Sequence, residues 1–361
     1  MSYIINKALS RKIAMTGVEY RNNHPGGISA VVQYWAKYIE KLKFYPTFKE
    51  GTKITKFAVF GNSYVLLFFR LLLDKKIEIV HVHTAAGVDF RRSAKIIELA
   101  KKFNKKVILH SHASQFKVFF GEADDNTRLW IIRTLRKADV LIVLSESWKE
   151  WFKQIGVSSA KITILHNITA YPKIENPTRK ADIPIRFLFM GEIGHRKGVF
   201  DIIRALTDHK VELEGQIKLR IGGNKNEEQL LSAIKDSGLE KMVCFEGFVS
   251  GDKKIELLNW ADVFILPSFN EGLPISILEA MSYSMPIIST PVGGIPEVVD
   301  VKNGIIVTPG NKDEIYKAMK FYVENIEQIE LQGKESYKKV ETYLPDYVLT
   351  HLKCIYEDLL K

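Results

Sequence analysis

The chain has 361 residues, of which 46% are hydrophobic and 26% are charged. This length allows two domains with separate cores, and the composition excludes a largely disordered chain. Lysine and arginine number 52 against 42 aspartates and glutamates, which gives a net charge of +10. Such a surplus suits acidic ligands or an anionic membrane surface. Nucleic acid is not an expected partner, because the sequence contains no zinc-finger spacing and no aromatic RNA-binding motif.

The cysteine content and the apolar segments bear on the compartment. The two cysteines, Cys244 and Cys354, are too few for a disulfide framework or a paired-cysteine metal site, which favours a reducing, cytoplasmic environment. The first residues lack the apolar run of a signal peptide. The most apolar segment, residues 64–73, is interrupted by Arg70 and is shorter than the roughly 20 residues of a membrane helix. We therefore predict a cytoplasmic chain without a membrane span.

The same segment, residues 64–73, predicts a helix that covers a sheet. Its two phenylalanines, Phe68 and Phe69, and residues 71–73 are expected in the core. The basic residues Arg70, Lys75 and Lys76 leave docking at the inner face of the cell membrane open as an alternative.

The chain begins with a predicted strand at residues 12–17. A loop with the sequence His24-Pro25-Gly26-Gly27 follows, and the next apolar residues have helical spacing. A glycine loop between a strand and a helix can hold a phosphate, because the first amides of the helix point at the loop. Gly26 and Gly27 are therefore candidate binding residues, and a purely structural turn is the alternative.

Two further strands end in histidines. The strand predicted at residues 77–82 ends in the sequence His81-Val82-His83. The strand predicted at residues 107–109 is followed by His110-Ser111-His112. In a parallel sheet, ligands bind beyond the carboxyl ends of the strands, where His83 and His112 fall. We expect the two side chains of each His-x-His to lie on opposite faces of the strand, and no carboxylate or cysteine follows at ligand spacing. No metal site is therefore predicted, and His83 is expected to pack in the core.

The middle of the chain contains a candidate domain boundary. Residues 171–181 are polar, include Pro172 and Pro177, and show no periodicity, as is typical of a linker. We predict a first domain at residues 1–170 and a second at 182–345. Strands alternate with helices on both sides of the linker, so we expect an α/β fold with parallel sheets in both halves.

The second half opens with a strand at residues 186–191 and a basic loop that ends in Arg196, Lys197 and Gly198. A helix is predicted from Val199. Cations in a loop at a helix start suit the charge of a diphosphate.

A second anion site is predicted in residues 261–281. Residues 263–266 are a short apolar run that predicts a buried strand, and a helix follows the next turn. The turn places backbone amides at a helix N-terminus. Its residues are Gly272, Leu273, Pro274 and Ile275. Glu271 precedes the turn and Glu279 lies eight residues later, so one carboxylate could hold a ribose diol and the other a sugar. The alternative is that both carboxylates are merely solvated.

Glu271, Glu279 and the Gly272-Leu273-Pro274 turn between them resemble the paired-glutamate signature of glycosyltransferase family 4. These are retaining, nucleotide-sugar-dependent enzymes of group 1, found in bacterial surface-polysaccharide synthesis. The resemblance runs from about residue 12 to the end of the chain. It implies the GT-B fold: two Rossmann-like domains face each other across a cleft, the first binds the acceptor and the second the donor. The last helix, residues 346–361, then packs back on the first domain.

The resemblance also implies roles for single residues. Glu279 would bind the ribose hydroxyls, Glu271 would face the transferred sugar, and the amides of the turn would bind the diphosphate. His112 would approach the donor sugar. Other positions match segments that lie near the donor phosphates, the nucleotide or its base. These are Gly26, Gly27, Lys197, Gly223, Phe248 and Val249.

One position departs from the family pattern, because Glu192 stands where the family has an arginine. We expect Arg196 to supply the missing charge from the other end of the loop. No Asp-x-Asp follows a strand, so Lys197, Arg196 and the turn amides would stabilise the leaving group without metal or cofactor.

The predicted function is retaining transfer of a hexose from a nucleoside diphosphate sugar to a glycan or lipid-linked acceptor. Glu271, His112 and Lys197 are the candidate catalytic residues. Two alternatives stay open. One is a nucleotide-sugar-binding subunit without transfer activity, motivated by Glu192, and the other is an epimerase or phosphorylase on the same scaffold.

Overall fold

The computed structural model describes residues 3–21, 26–112, 114–172 and 181–361. Two predicted features lie partly outside these ranges. They are the linker, of which residues 173–180 are not described, and the glycine loop, of which His24 and Pro25 are not described. Backbone contacts divide the chain into two compact units. Unit 1 comprises Met1–Ile168 and Tyr343–Lys361, and unit 2 comprises Thr169–Thr342.

Unit 1 contains a six-stranded sheet in which every pairing is parallel, with the strand order β2-β1-β3-β4-β5-β6. The strands are β1 (Ile13–Val18), β2 (Phe44–Phe48), β3 (Ile79–Thr84), β4 (Lys106–Ser111), β5 (Val140–Val143) and β6 (Ile162–Ile164). The chain leaves β1 first toward β2 and then returns to the other side at β3. The crevice between β1 and β3 is therefore the topological switch point of this sheet.

The edge strand β2 was not predicted from the sequence. It contains Pro46, which pairs with Gly17 of β1. Proline cannot donate a ladder hydrogen bond, so it is tolerated in a strand that has a neighbour on one side and not on the other.

The helices of unit 1 pack around the sheet, and those between Lys53 and Gln154 bury apolar side chains in a common core. In chain order they are α1 (Lys7–Ser10), α2 (Gly27–Trp35), α3 (Lys53–Leu73), α4 (Val88–Lys102), α5 (Phe116–Gly121), α6 (Asp125–Lys137) and α7 (Glu146–Gln154), with a 3-10 turn at Ser159–Lys161. Side-chain oxygens of Thr52, Asp124 and Ser145 accept hydrogen bonds from the first turns of α3, α6 and α7. These N-caps explain where the three helices begin.

Helix α3 differs from its prediction in length and in burial. It has 21 residues, and an 18-residue stretch within it has a mean hydropathy of 1.4, so α3 is long and apolar enough to cross a membrane by length and composition alone. The prediction that this segment is too short for a membrane helix is therefore wrong. Of the residues expected in the core, Leu71 is buried, whereas Phe69 and Leu73 are 52% and 76% exposed and Phe68 and Leu72 are also exposed. The reason is that α3 contacts β2 and α4 along one side.

Unit 2 contains a second parallel six-stranded sheet, with the strand order β12-β11-β10-β7-β8-β9. The strands are β7 (Ile185–Met190), β8 (Ile217–Gly222), β9 (Val243–Phe245), β10 (Val263–Leu266), β11 (Ile287–Ser289) and β12 (Gly304–Ile306). The chain runs outward from β7 to β9 and then returns to the other side of β7 at β10. The predicted α/β class with parallel sheets in both halves is confirmed.

The helices of unit 2 are α8 (Val199–Asp208), α9 (Lys210–Leu213), α10 (Glu227–Asp236), α11 (Gly251–Trp260), α12 (Ile275–Ser282), α13 (Ile295–Val298), α14 (Lys312–Glu324) and α15 (Glu327–Val340). 3-10 turns occur at His195–Lys197 and Glu341–Tyr343. Nearly every residue of α12 is buried, because α15 packs on the side of α12 that the sheet does not cover. This helix is therefore held from several directions.

The last helix, α16 (Pro345–Leu359), belongs to unit 1. Its Tyr356 is fully buried, and the hydroxyl lies 2.7 Å from Nδ1 of His81 on β3. This hydrogen bond joins residues that are 275 positions apart in the sequence. It fixes the end of the chain to the centre of the first sheet.

Tyr356→Phe tests this attachment. Removing the hydroxyl leaves a buried imidazole nitrogen without its partner, which costs about 1–3 kcal/mol of unfolding free energy. Denaturant unfolding followed by tryptophan fluorescence reports mainly on unit 1, which contains four of the five tryptophans. Tyr347→Phe on the same helix, where the ring is 60% exposed, is the matched control. Equal effects of the two substitutions would contradict the anchoring role.

Candidate functional site

The carboxyl ends of β7 and β10 mark the topological switch point of unit 2, and two loops meet there. One loop follows β7 and carries Arg196 and Lys197, and the other follows β10 and carries Glu271. The backbone amide of Phe269 donates to the carbonyl of Arg196 at 2.8 Å, and the Arg196 guanidinium donates to the carbonyl of Asn270 at 3.2 Å. The structure thus brings together the basic loop and the glutamate turn that the sequence had placed 74 residues apart.

At the centre of this meeting lies a largely buried ion pair. Lys197 Nζ lies 2.5 Å from Glu271 Oε1, and the side chains are 13% and 6% exposed. The Ser268 hydroxyl donates to the same carboxylate oxygen at 2.7 Å. Glu271 is therefore held in place by two donors, and the alternative of a solvated loop glutamate is wrong.

Two glycines let neighbouring backbones approach the loop that carries Glu271. A Cβ atom on Gly198 would lie 2.1 Å from the carbonyl oxygen of Pro267, and one on Gly293 would lie 2.1 Å from that of Glu271. Both glycines have positive φ angles, +72° and +58°. Side chains are thus excluded here by space and by backbone conformation. The position of Glu271 depends on this close packing as well as on its ion pair.

Helix α12 follows the turn and begins at Ile275, with Pro274 as its N-cap and no side-chain cap. The residues predicted to bind an anion, Gly272 to Ile275, are all buried. The amide of Gly294 donates to the carbonyl of Gly272 at 2.6 Å, which ties the turn to the loop after β11. The positive end of the helix dipole therefore lies at the turn that directly follows Glu271.

Glu279 lies two turns into α12 and is 6% exposed, so the alternative of a solvated helix residue is wrong for it as well. Its Oε1 forms an ion pair of 2.5 Å with Lys254 on α11. Sequence reasoning missed Lys254, because it lies in an ordinary amphipathic helix and its partner is 25 residues away. No sequence motif marks this pairing.

The remaining candidates of unit 2 lie on loops after β7, β8 and β9. Glu192, which replaces the family arginine, forms an exposed ion pair of 2.9 Å with Lys225. The amide of Gly223 donates to the carbonyl of Gly247 at 2.8 Å, next to Phe248 and Val249. The Phe248 side chain is 49% exposed. All these residues therefore border the carboxyl edge of the same sheet.

Unit 1 holds the other predicted residues. Gly26 is the N-cap of α2, and Gly27 is its first residue. His112 follows β4, and its Nε2 lies 2.8 Å from Nδ1 of His83 at the end of β3. These three candidates belong to a different unit from Lys197 and Glu271.

The histidines of β3 and β4 form one cluster against Trp35. The rings of His81 and His83 stack 4.6 Å apart, and His81 Nε2 lies 3.3 Å from His110 Nδ1. The prediction that a His-x-His splits across the strand is wrong, because residues two positions apart share a face of a strand. Consequently all four imidazoles lie on one side of the sheet.

Three of these residues, His81, His83 and His110, bring nitrogen atoms within 4.8 Å of one another, as metal ligands do. Both nitrogens of His81 and the Nδ1 atoms of His83 and His110 are already in hydrogen bonds. A tetrahedral metal site needs the lone pairs of its ligands directed at one ion. The observed contacts fit a hydrogen-bonded network better, so we assign none of these residues to a metal.

Burial governs the protonation of the cluster. Loss of hydration lowers the pKa of His81 to about 3 and the pKa values of His83 and His110 well below the ordinary value. These imidazoles are therefore neutral at pH 7. The hydrogen bond between His83 and His112 fixes the ring of His112 at the end of β4.

The stability of unit 1 should fall in mild acid. Below about pH 6.5 the histidines take up protons in the unfolded chain but not in the buried cluster, so each favours unfolding by about 1.4 kcal/mol per pH unit. We expect a lower denaturation midpoint at pH 5.5 than at pH 7.5, measured by tryptophan fluorescence. His83→Gln should reduce this pH dependence. Midpoints of the native chain that do not change with pH would contradict the neutral cluster.

A double-mutant cycle tests the buried ion pair of unit 2. Lys197→Met or Glu271→Gln alone leaves one charge largely buried and unpaired, which costs about 3–5 kcal/mol of unfolding free energy. The double variant should recover most of this loss. The exposed pair of Lys225 and Glu192 gives the matched cycle, with an expected coupling below about 1 kcal/mol. Denaturation followed by circular dichroism measures both. Additive effects in the first cycle would show that the pair is not coupled.

Comparison with known proteins identifies the two halves of the chain. Residues 25–169 match the family described as Glycosyltransferase Family 4, and residues 171–339 match the family described as Glycosyl transferases group 1. An uncharacterized glycosyltransferase of Methanocaldococcus jannaschii is 24% identical over 351 residues, which cover 87% of this chain and 90% of that protein. The amylovoran biosynthesis glycosyltransferase AmsK of Erwinia amylovora is 29% identical over 217 residues. This match covers 56% of the chain and about half, 52%, of AmsK.

The fold is shared with solved glycosyltransferases. The crystal structure of Anabaena HepE in complex with UDP and glucose superposes with a TM-score of 0.73 at 15% sequence identity. The superposition covers 97% of this chain and 99% of HepE, which shows the common GT-B fold. The two matched families and the two parallel sheets agree with the paired-glutamate pattern, and the chain belongs to the family 4 glycosyltransferases.

Proposed function

We propose that the chain is a retaining hexosyltransferase that uses a nucleoside diphosphate sugar and a glycan or lipid-linked acceptor in surface-polysaccharide synthesis. The observation that carries the proposal is the buried pair of Lys197 and Glu271 beside the N-terminus of α12. The named relatives support it, since AmsK acts in amylovoran biosynthesis and the HepE structure contains UDP and glucose.

The leaving diphosphate needs positive charge without competing water. Lys197 supplies an ammonium group that is already largely desolvated, and the first turn of α12 supplies amides and the helix dipole. Arg196 lies in the same loop and contacts the chain next to Glu271. Fixed charges of this kind stabilise negative charge as it develops, and we infer that neither metal nor cofactor is required.

Two carboxylates would then orient the donor. Glu279 is buried and held by Lys254, so it can accept hydrogen bonds from both hydroxyls of a ribose. Both hydrogen bonds to Glu271 use Oε1, which leaves Oε2 to accept a hydroxyl of the transferred sugar. His112, fixed by His83, would contact the sugar near the reacting carbon. We assign no covalent nucleophile and propose that the departing phosphate takes the proton of the acceptor hydroxyl.

Glu192 motivates the alternative of a non-catalytic subunit, but an ion pair with Lys225 balances its charge. Glu192 would repel a diphosphate if its charge were unpaired, but Lys225 lies 2.9 Å from it. The pair adds no net charge to the loop. Glu192 therefore does not by itself argue against donor binding.

The test is release of nucleoside diphosphate from a panel of nucleotide sugars, with and without lipid extract or glycan acceptor. Lys197→Ala should lower kcat/KM by about 100-fold or more, as expected when a charge on the leaving group is lost. Glu279→Ala should mainly raise KM for the donor. Glu228→Ala, an exposed carboxylate on α10, is the matched control and should retain full activity.

Three outcomes would change the assignment. Donor binding without release in the presence of any acceptor would support the non-catalytic subunit. Conversion of the nucleotide sugar without acceptor would support an epimerase. Full activity of Glu279→Ala would show that the donor site is elsewhere.

A further inference from the structure

Helix α3 exposes more large apolar side chains than any other described helix. Of its residues, Ile54 and Phe57 are 82% and 80% exposed, and Leu73 is 76% exposed. Five further residues are between 38% and 52% exposed: Val65, Leu66, Phe68, Phe69 and Leu72. Single exposed apolar residues are common on protein surfaces, but eight large ones on one helix mark an interaction site.

The exposed residues occupy one half of the helix. At about 100° per residue, all eight fall within roughly 180° of the circumference. The opposite half carries the buried residues Ser63, Leu67 and Leu71, which face the sheet. The other residues on the exposed half are uncharged: Thr55, Ala58, Gly61 and Asn62. Over 21 residues, this apolar face is about 31 Å long.

Basic residues border this apolar face at both ends. Lys53 lies at the start of α3 and Arg70 near its end, and the exposed Lys75 and Lys76 follow immediately. The charge of the whole unit has the same sign. Unit 1 has 30 lysines and arginines against 16 aspartates and glutamates, which gives +14, whereas unit 2 has 22 against 26, which gives −4. The two values sum to the net charge of +10.

The connections of α3 prevent it from spanning a bilayer while unit 1 is folded. The chain enters α3 from β2 and leaves it into β3, and both strands flank β1 in the same sheet. The buried half of the helix is also packed on that sheet. The helix can therefore lie along a membrane surface, but it cannot cross the membrane unless the sheet comes apart.

We propose that unit 1 docks on an anionic lipid bilayer through α3. The helix lies in the plane of the interface, its apolar half enters the boundary between headgroups and acyl chains, and its flanking lysines and arginine contact anionic headgroups. Binding is reversible, since the buried half of α3 stays on the sheet. This inference concerns a second surface of the molecule and does not depend on the proposed sugar transfer.

The charge pattern favours lipid over a second copy of the chain as the partner. Two copies joined through α3 would bring two units of +14 together, with the basic residues of each beside those of the other. An anionic bilayer neutralises the same charges. It also offers an apolar layer to a helix face that has no charged residue.

The experiment is co-flotation of the full chain with vesicles. One set is phosphatidylcholine with about 30% phosphatidylglycerol, and the other is phosphatidylcholine alone. The docking variant is Phe69→Glu/Leu73→Glu, and the matched control is Val211→Glu/Val301→Glu. The control adds the same charge at residues of unit 2 that are 94% and 87% exposed. Circular dichroism checks that each variant is folded.

We expect the wild type and the control to bind the anionic vesicles, with binding weakened at high salt. The docking variant should bind at least about 10-fold more weakly, in line with the loss of two buried apolar side chains. If the wild type bound both vesicle types equally, docking on anionic lipid would be overturned. The same conclusion would follow if the docking variant bound anionic vesicles as tightly as the wild type does. A dimer in sedimentation analysis that Phe69→Glu/Leu73→Glu dissolves would assign the face to a second copy instead. Each readout is independent of sugar transfer, so failure here leaves the proposed function standing.

Discussion

The ion pair between Lys197 and Glu271 holds the unit 2 site together. Two loops that follow different strands meet there, and the pair is stable in a largely buried position because Ser268 adds a second donor to the carboxylate. Moving two charges out of water is costly, so good geometry is needed to offset the cost. Gly198 and Gly293 supply that geometry by letting the neighbouring backbones close around the loop. The ammonium group is therefore positioned before any anionic ligand arrives, and the site needs little rearrangement to stabilise new charge.

Much of the unit 2 site could be predicted from local sequence. The sequence predicts the strand at Val263–Leu266 and the helix start at Val199 with the correct bounds. A short apolar run that ends before Pro267 marks the strand, and Gly198 marks the start of the helix. The pairing of Glu279 with Lys254 could not be predicted, since it depends on how α11 and α12 pack. The histidine cluster differs from its prediction for another reason: residues two positions apart share one face of a strand, whereas the prediction places them on opposite faces. Correct periodicity would have placed His81 beside His83.

Helix α3 shows where hydrophobic periodicity stops being informative. A helix with a polar side and an apolar side reveals its buried face, but α3 carries large apolar side chains on both sides. Sequence alone then supports burial for Phe69 as well as for Leu71, although one is exposed and the other buried. The sheet decides the outcome, because β2 is an edge strand and offers the helix contact along a single side. The other side of α3 stays exposed and apolar, and this exposed face makes the helix a candidate for binding a partner.

Unit 1 is discontinuous in the sequence, since unit 2 is inserted before the helix that completes it. His81 and its partner Tyr356 are 275 residues apart, a stretch that a ribosome takes about 14–55 s to synthesise at roughly 5–20 residues per second. During that time the first sheet lacks its last helix, and the imidazole of His81 lacks the hydroxyl that pairs with it. Unit 2, whose residues are contiguous, can complete its fold earlier. Synthesis therefore finishes the second unit before the first.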